Sequence, residues 1–368
     1  MYRFKKVFIM FIGYCFIFIS SLIFLFVMRV VAKKVGLVDK PNERKHHKGA
    51  IPLIGGISIF AAISVTFLSF LPHTRDLYLY LGSALVLIIL GAFDDRLDIS
   101  FKIRLIVQAA ISIAMIVIGG HSLHNLGFLM GSETIQLSVF ASYVITVIGV
   151  IGAINAFNMV DGIDGLLGGL AAVTIGSIGV VFFLSGNTYL ATVCGLIVTA
   201  IIPYIMLNLG IPFGSKTKVF MGDAGSMFIG FTVVWLLIKA TQDPELYAFK
   251  PVTALWLIAI PLMDMATIMI RRIRKGQSPF QPDREHLHHI FQRLGLSPRQ
   301  TLLTICSMAL ACSVIGLWAD YLGIAESTMF VAFLVMFVCY FTAISHIFRI
   351  VAFVRSVLGI KANKVKAD

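Results

Sequence analysis

Residues 165–184 read GLLGGLAAVTIGSIGVVFFL. The stretch carries no charge, and as a helix rising about 1.5 Å per residue it spans the ~30 Å hydrocarbon core of a bilayer. Gly165, Gly168, Gly169 and Gly176 leave one side of it bare enough for another helix to approach closely. Outward from this run the pattern repeats at 7–31, 53–71, 77–93, 103–119, 139–157, 188–209, 225–240, 251–270, 301–320 and 327–347. Eleven apolar runs predict an all-α polytopic membrane protein, a bundle of about 11 transmembrane helices. The first run follows Lys5 and Lys6 as a signal peptide would, but it is about 25 residues long and lacks a small-residue cleavage site, so it reads as an uncleaved helix. No long polar stretch interrupts the pattern, which predicts a single integral-membrane domain over 1–368.

Composition agrees. Of 368 residues 58% are hydrophobic and 13% charged, with a mean hydropathy of +0.94. Soluble domains run at about 45–50% apolar and about 25% charged, so an ordinary soluble enzyme is excluded, as is a disordered chain. Cys15, Cys194, Cys306, Cys312 and Cys339 all fall in apolar stretches without motif spacing and read as small hydrophobes.

The formal net charge is +12. In a soluble chain that would point to nucleic acid; here the basic residues sort by connection. Segments 32–52, 94–104, 157–164, 210–224, 271–300 and 348–368 hold 23 of the 30 Lys and Arg. The alternate connections hold Arg3, Lys5, Lys6, Arg75, Lys239 and Lys250. The positive-inside rule puts the first set in the cytoplasm, with the N-terminus periplasmic and the C-terminus cytoplasmic. The partner this charge implies is a lipid bilayer, with no nucleic acid.

The acidic residues depart from that pattern. Asp94, Asp95 and Asp98 end the third run in GAFDDRLD, Asp161 and Asp164 precede the sixth in NAFNMVDGIDGL, and Asp223 opens the eighth in VFMGDAGS. On a continuing helix Asp94 and Asp95 share a face with Asp98, and carboxylates that close repel unless a cation or proton is shared. Hard divalent ions take such oxygens and keep positions for substrate phosphates. A solvated helix end with Arg96 and Arg104 as counter-charges is the plainer reading, and for DGIDG and MGDAGS it is an Asp helix cap. One Asp would serve as a cap. Two in DGIDG, separated by Gly162 and followed by more glycines, favour a backbone kept bare for a ligand, with Asn155 and Asn158 nearby. Three acidic sites on one membrane face point to one shared site on the cytoplasmic face.

The longest expected cytoplasmic segment carries Arg271, Arg272, Arg274, Lys275 and Arg284, then His286, His288 and His289 in PDREHLHH. Without Cys this is a poor zinc site. Arg and His beside carboxylates suit a phosphate or diphosphate, whereas a lipid-facing basic loop would explain the arginines but not the histidines. Asp264 lies inside the ninth run, where an ionisable group is costly; it reads as pairing with an arginine or orienting a site residue.

Together GAFDDRLD, NAFNMVDGIDGL, VFMGDAGS and PDREHLHH resemble the polyprenyl-phosphate N-acetylhexosamine-1-phosphate transferase family, over essentially the whole chain. Within it the likeness is to the branch using undecaprenyl phosphate and UDP-GlcNAc in Gram-negative bacteria. The cell-wall branch that transfers phospho-MurNAc-pentapeptide has a basic residue where Asp98 stands and a different histidine cluster. The resemblance implies an inner-membrane, multi-pass enzyme that moves GlcNAc-1-phosphate from UDP-GlcNAc to undecaprenyl phosphate, releasing UMP and starting a lipid-linked surface polysaccharide (enterobacterial common antigen or O-antigen lipopolysaccharide). It implies Mg²⁺, with Mn²⁺ as substitute, held by Asp223 with Asn158 and Asp95. By the same resemblance, Asp94 and Asp95 handle the lipid phosphate. Asp161 and Asp164 belong to the catalytic set, and Asp164 with the DGIDG backbone also meets the uridine part. Asp98, Asn155, Arg271, Arg272, Arg284, His286, His288 and His289 are implied to bind substrate. A homodimer is compatible with this reading.

UDP-GalNAc and UDP-MurNAc-pentapeptide stand as alternative donors. A CDP-alcohol phosphotransferase would gather its acids and glycines in one continuous motif with an Ala-Arg pair; here they are spread over three loops. A secondary transporter would place ionisable residues and broken helices at mid-membrane, and apart from Asp264 the run interiors are apolar.

Overall fold

The computed structural model describes residues 2–39, 49–244, 246, 248–279 and 286–347, with side chains from residue 10 onward. It is an all-α bundle. The helices are α1 (Tyr2–Val35), α2 (Gly55–Phe70), α3 (Arg75–Leu97), α4 (Phe101–Gly119), α5 (Val139–Met159), α6 (Leu166–Leu184) and α7 (Thr188–Asn208). They continue with α8 (Gly222–Gln242), α9 (Pro251–Leu257), α10 (Ala259–Arg274), α11 (Leu287–Arg293), α12 (Pro298–Tyr321) and α13 (Glu326–Ser345). A two-stranded antiparallel ladder, β1 (Val38–Asp39) with β2 (Ile51–Pro52), links α1 to α2.

All eleven apolar runs are helical, yet only nine helices among the described residues are long and apolar enough to cross a membrane. The chain is a multi-pass membrane protein, and the expected count of eleven full spans changes at two places. The run at 251–270 is divided between α9 and α10, bent by 78°. Pro261 has no N–H to donate to the carbonyl of Leu257, and Thr174 Oγ1 donates to that carbonyl instead, at 3.1 Å. The run at 53–71 yields only the 16 residues of α2, about 24 Å of helix. Its start is held by the segment before α8: Gly55 N donates to Phe220 O (2.9 Å) and Gly56 N to Met221 O (3.1 Å). These bonds satisfy amides that a helix start leaves open.

Helix α8 is the central element, with nearly its whole length buried. A helix apolar on every side, such as VVWLLI at 233–238, has no face to give to water and belongs in the middle of the bundle. Its neighbours approach over small residues: Gly91 of α3 lies on Ala224, Gly56 of α2 on Gly225, and Gly230 receives the backbone of α5 at Ile154. A Cβ at Gly56 would fall inside contact distance of the Gly225 backbone, so Gly56→Ala forces the helices apart. Overpacking of this kind costs ~1–3 kcal/mol, and Gly56→Ala is expected to lower the melting temperature in detergent. Gly82, with open space at its Cβ position, is the control, and Gly82→Ala should melt as the parent does. Equal melting of the two variants would contradict this packing.

Candidate active site

The helix ends and turns that carry the aspartates meet at one end of the bundle. Gly222 adopts φ +74 as the first residue of α8, turning the chain so that the first amides of α8 face the end of α3. Asp95 receives them: its Oδ1 accepts from Asp223 N (2.8 Å) and its Oδ2 from Ala224 N (3.4 Å). A carboxylate on unpaired N-terminal amides is a favourable pairing, here made across the bundle and not within the helix. Asp223 then faces α5, where Asn158 Nδ2 donates to Asp223 Oδ1 and to Ser226 Oγ, both at 2.7 Å.

Asp94, one residue before Asp95, is buried in the last turn of α3. Arg104 Nη1 donates to its Oδ2 (2.6 Å) and Ile99 N to its Oδ1 (2.8 Å). Arg104 is thus the counter-charge that the plainer reading of DDRLD assigned to it. Asp98 closes α3 with φ 51, a left-handed cap on which Asp is tolerated, and leaves its side chain exposed.

The DGIDG segment turns from α5 into α6. Gly165 at φ +79 starts α6, and its N–H donates to Asn208 Oδ1 (2.5 Å), while Asn208 Nδ2 donates to Val219 O (2.8 Å). One buried amide therefore ties DGIDG to the strap that leads into α8. Asp164 pairs with Lys218 Nζ of that strap at 2.6 Å. Asp161 opens to solvent. Neighbouring protein and then the charges of Asp223 and Asp164 push its carboxyl up. Because solvent reaches the side chain, the repulsion among the three carboxylates is the part a bound cation would relieve. Asn155 lies one turn deeper and points elsewhere: its Nδ2 donates to Gln108 Oε1 of α4 (3.0 Å).

The histidine helix closes the site. His286 and the start of α11 are fixed by Asp264, buried in α10: Asp264 Oδ2 accepts from His286 Nδ1 (2.8 Å), and Oδ1 accepts from Leu287 N (3.1 Å) and Tyr340 Oη (3.0 Å). Of the two roles open to Asp264, orienting a site residue is the one the structure shows. His288 stacks on His286, ring centroids 5.8 Å apart, and its ring lies on Gly162 with no room for a Cβ there. His289, half-buried, stands beside it at 4.2 Å. Arg271 and Arg272 end α10; Arg272 is buried and its Nη1 donates to Pro279 O at 2.5 Å, while Arg271 is half-buried. Arg284 lies outside the described residues.

Burial, then the neighbouring His289 and His286, push the His288 imidazole down to about 3. It is neutral in the folded protein at pH 7. Unfolded, it takes a proton below pH ~6.5, so its contribution to stability is full above that value and is lost as pH falls toward 3, by up to ~1.4 kcal/mol per pH unit. Thermal unfolding in detergent at pH 5 and pH 7 should show this loss, and His288→Gln should reduce it. An unchanged pH dependence in that variant would contradict the assignment.

Sequence reasoning missed Lys218, Asn208 and Tyr340. Lys218 was absorbed into the count of cytoplasmic charge; its place five residues before Asp223 was the available signal. Tyr340 and Asn208 sit in apolar runs and carried none.

The family model described as Glycosyl transferase family 4 matches residues 77–241, from α3 through α8, which carry the DD pair, DGIDG and Asp223. The undecaprenyl-phosphate α-N-acetylglucosaminyl 1-phosphate transferase of Escherichia coli (strain K12) is 51% identical over 345 residues, 93% of this chain and 92% of its own. The chain belongs to glycosyl transferase family 4. The proteins of the same name from Yersinia pestis and Haemophilus influenzae are 50% and 47% identical, each over 92% of this chain and 93% and 95% of their own. The likeness extends beyond the family match at 77–241 and takes in the α10–α11 region with Asp264 and His286.

The donors suit a hard divalent cation. Among the described residues no group of three or more His, Cys, Asp or Glu encloses a metal position. Mg²⁺ does not need such a cage, since it is held through one or two carboxylates and completes its shell with water and substrate phosphates. Asp223, whose charge repels both Asp95 and Asp161, belongs to the kind of carboxylate group that accepts it.

Proposed function

We propose that this member of the family transfers GlcNAc-1-phosphate from UDP-GlcNAc to undecaprenyl phosphate, giving GlcNAc-diphospho-undecaprenol and UMP. A phosphate oxygen of the lipid attacks the β-phosphorus of the sugar nucleotide. The bond from that phosphorus to the bridging oxygen breaks, and UMP leaves with the oxygen. The observation that carries the reading is the meeting of Asp95, Asn158 and Asp223 with DGIDG and the His286 helix at one end of a membrane bundle. A prenyl tail stays in hydrocarbon there while its phosphate meets a water-soluble nucleotide.

Asp223 is the proposed Mg²⁺ ligand, with Asn158 and Asp95 beside it, and Mn²⁺ is expected to substitute. Bound there, the cation supplies charge against the two phosphate groups that would otherwise repel each other. The chain's own residues do the positioning. Asn158 fixes the Asp223 carboxylate, and Asp95 fixes the start of α8. The DD pair is assigned to the acceptor phosphate, with Asp94 and Arg104 forming the clamp that sets its place. Asp164 with Lys218, together with Asp98, is assigned to the nucleotide side and Asp161 to the catalytic set, while Asn155, held on Gln108 of α4, is left out of the substrate contacts. His286, His288, His289, Arg271, Arg272 and Arg284 are assigned to the diphosphate and sugar. The cytoplasmic face of a bacterial inner membrane is the proposed location of the site, supported by the distribution of Lys and Arg among the connections. The proposed product starts a lipid-linked surface polysaccharide such as enterobacterial common antigen or O-antigen lipopolysaccharide.

The donor is tested by UMP release from purified protein with Mg²⁺ and undecaprenyl phosphate. UDP-GlcNAc should outrun UDP-GalNAc and UDP-MurNAc-pentapeptide; faster turnover of either of those would overturn GlcNAc as the sugar.

A further inference from the structure

A cavity of about 500 Å³ lies at the opposite end of the bundle from the aspartates. It falls between the end of α2 and the start of α3, and between the start of α7 and the end of α8. Lys239 on its wall is sixteen residues along α8 from Asp223, ~24 Å of helix. The volume is in the range of small-molecule sites. Its rim is exposed and includes Pro72, Thr74, Arg75 and Tyr189. Its floor is buried and apolar, formed by side chains such as Phe67, Leu77, Val193, Ile197 and Trp235. The polar floor atoms are satisfied, since Tyr80 Oη and Thr232 Oγ1 bond each other at 2.8 Å. An occupant would therefore be apolar at its inner end.

The charges at the rim are unequal in what they hold. Asp76 is paired with Lys239 (2.7 Å) and faces His121 (3.2 Å), and Lys239 also meets Asp243 (3.6 Å). Arg75 has no such partner among the described residues, so its guanidinium is the unpaired cation at the rim. Guanidinium is the side chain best matched to phosphate oxygens. A second cavity of about 240 Å³ shares Leu71, Pro72 and Tyr189 with the first and runs along α1 and α7 by Gly13 and Leu196. Two apolar cavities leave one rim.

We propose that the paired cavities hold the two acyl chains of an anionic glycerophospholipid, with its phosphate against Arg75. Two cavities under one cation match a two-chain lipid; a polyprenyl phosphate has one chain. The site is separate from the transferase centre and does not rest on the donor assignment.

Trp235 in the floor is a built-in reporter. The intact protein carrying Trp256→Phe and Trp318→Phe, which leaves Trp235 as its one tryptophan, is placed in phosphatidylcholine nanodiscs. Phosphatidylglycerol or phosphatidylcholine with brominated acyl chains is then titrated in while Trp fluorescence is read. Brominated phosphatidylglycerol should quench at roughly tenfold lower mole fraction, because the choline ammonium of phosphatidylcholine offsets the phosphate charge that Arg75 meets. Arg75→Glu should erase that preference, and Val193→Phe, which fills the floor, should remove the quenching itself while Arg75 remains. Equal quenching by the two lipids, or an unchanged preference in Arg75→Glu, would overturn the proposal. Unlabelled undecaprenyl phosphate that relieves the quenching better than unlabelled phosphatidylglycerol would overturn the two-chain occupant.

Discussion

Asp223→Asn is expected to lower turnover at least ~100-fold while the protein still inserts and folds. The magnitude follows from removing one charge aimed at a phosphate-transfer site, where a single preorganised electrostatic contact is worth ~10²–10³ in rate. Folding should survive because the hydrogen bonds that join residue 223 to Asn158 and Asp95 can be kept. The amide keeps an Oδ1 that can accept from Asn158, and the bond from the 223 backbone N–H to Asp95 does not involve the side chain. Neutralising residue 223 also removes one source of repulsion on Asp161, so the melting temperature should hold or rise. The measurement is UMP release together with a melting curve. Ordinary turnover in a folded Asp223→Asn protein would take Asp223 out of the reaction.

The second large effect is expected at Asp264, which acts through His286. With a carboxylate oxygen 2.8 Å from His286 Nδ1, that nitrogen must carry the hydrogen. Asp264→Asn keeps the size of the side chain but can present an NH₂ group to Nδ1, which moves the ring hydrogen to Nε2. Loss of an orienting carboxylate typically costs ~10–100-fold, and the loss should fall on kcat more than on either KM. His286→Ala should be at least as severe. In the double variant the two losses should not multiply, since Asp264→Asn keeps the oxygen that accepts from Leu287 N and Tyr340 Oη, and the atom it changes faces His286. Multiplying losses would show that Asp264 acts independently of His286. Tyr340→Phe removes one hydrogen bond to Asp264 from the far side and serves as the mild control.

Much of this was legible in the sequence because lipid imposes few solutions on a backbone: every apolar run had to become a helix. What the runs do not carry is the local event that shortens or breaks one. Pro261 announces a break only once Thr174 is seen to take the carbonyl that the proline leaves unpaired. The short start of α2 depends on two carbonyls from a segment more than 150 residues away. The site divides in the same manner. Acids at three helix ends were visible because they oppose the positive-inside pattern, and their meeting followed from topology. The partners that hold them were not visible. That the amides of α8 place Asp95 is not written in GAFDDRLD, and Lys218 reads as topological charge until it is seen on Asp164. A carboxylate's neighbours are tertiary facts, whereas its presence at a helix end is a local one.

The central claim, transfer of a sugar together with its phosphate, is tested most directly by following the β-phosphorus. UDP-GlcNAc labelled with ³²P at that position is incubated with the purified protein, Mg²⁺ and undecaprenyl phosphate, and the lipid and aqueous phases are separated. The label should enter the lipid phase in step with UMP appearing in the water phase. Sugar entering the lipid while the β-label remains in the water phase, or no UMP from a folded protein, would contradict the account.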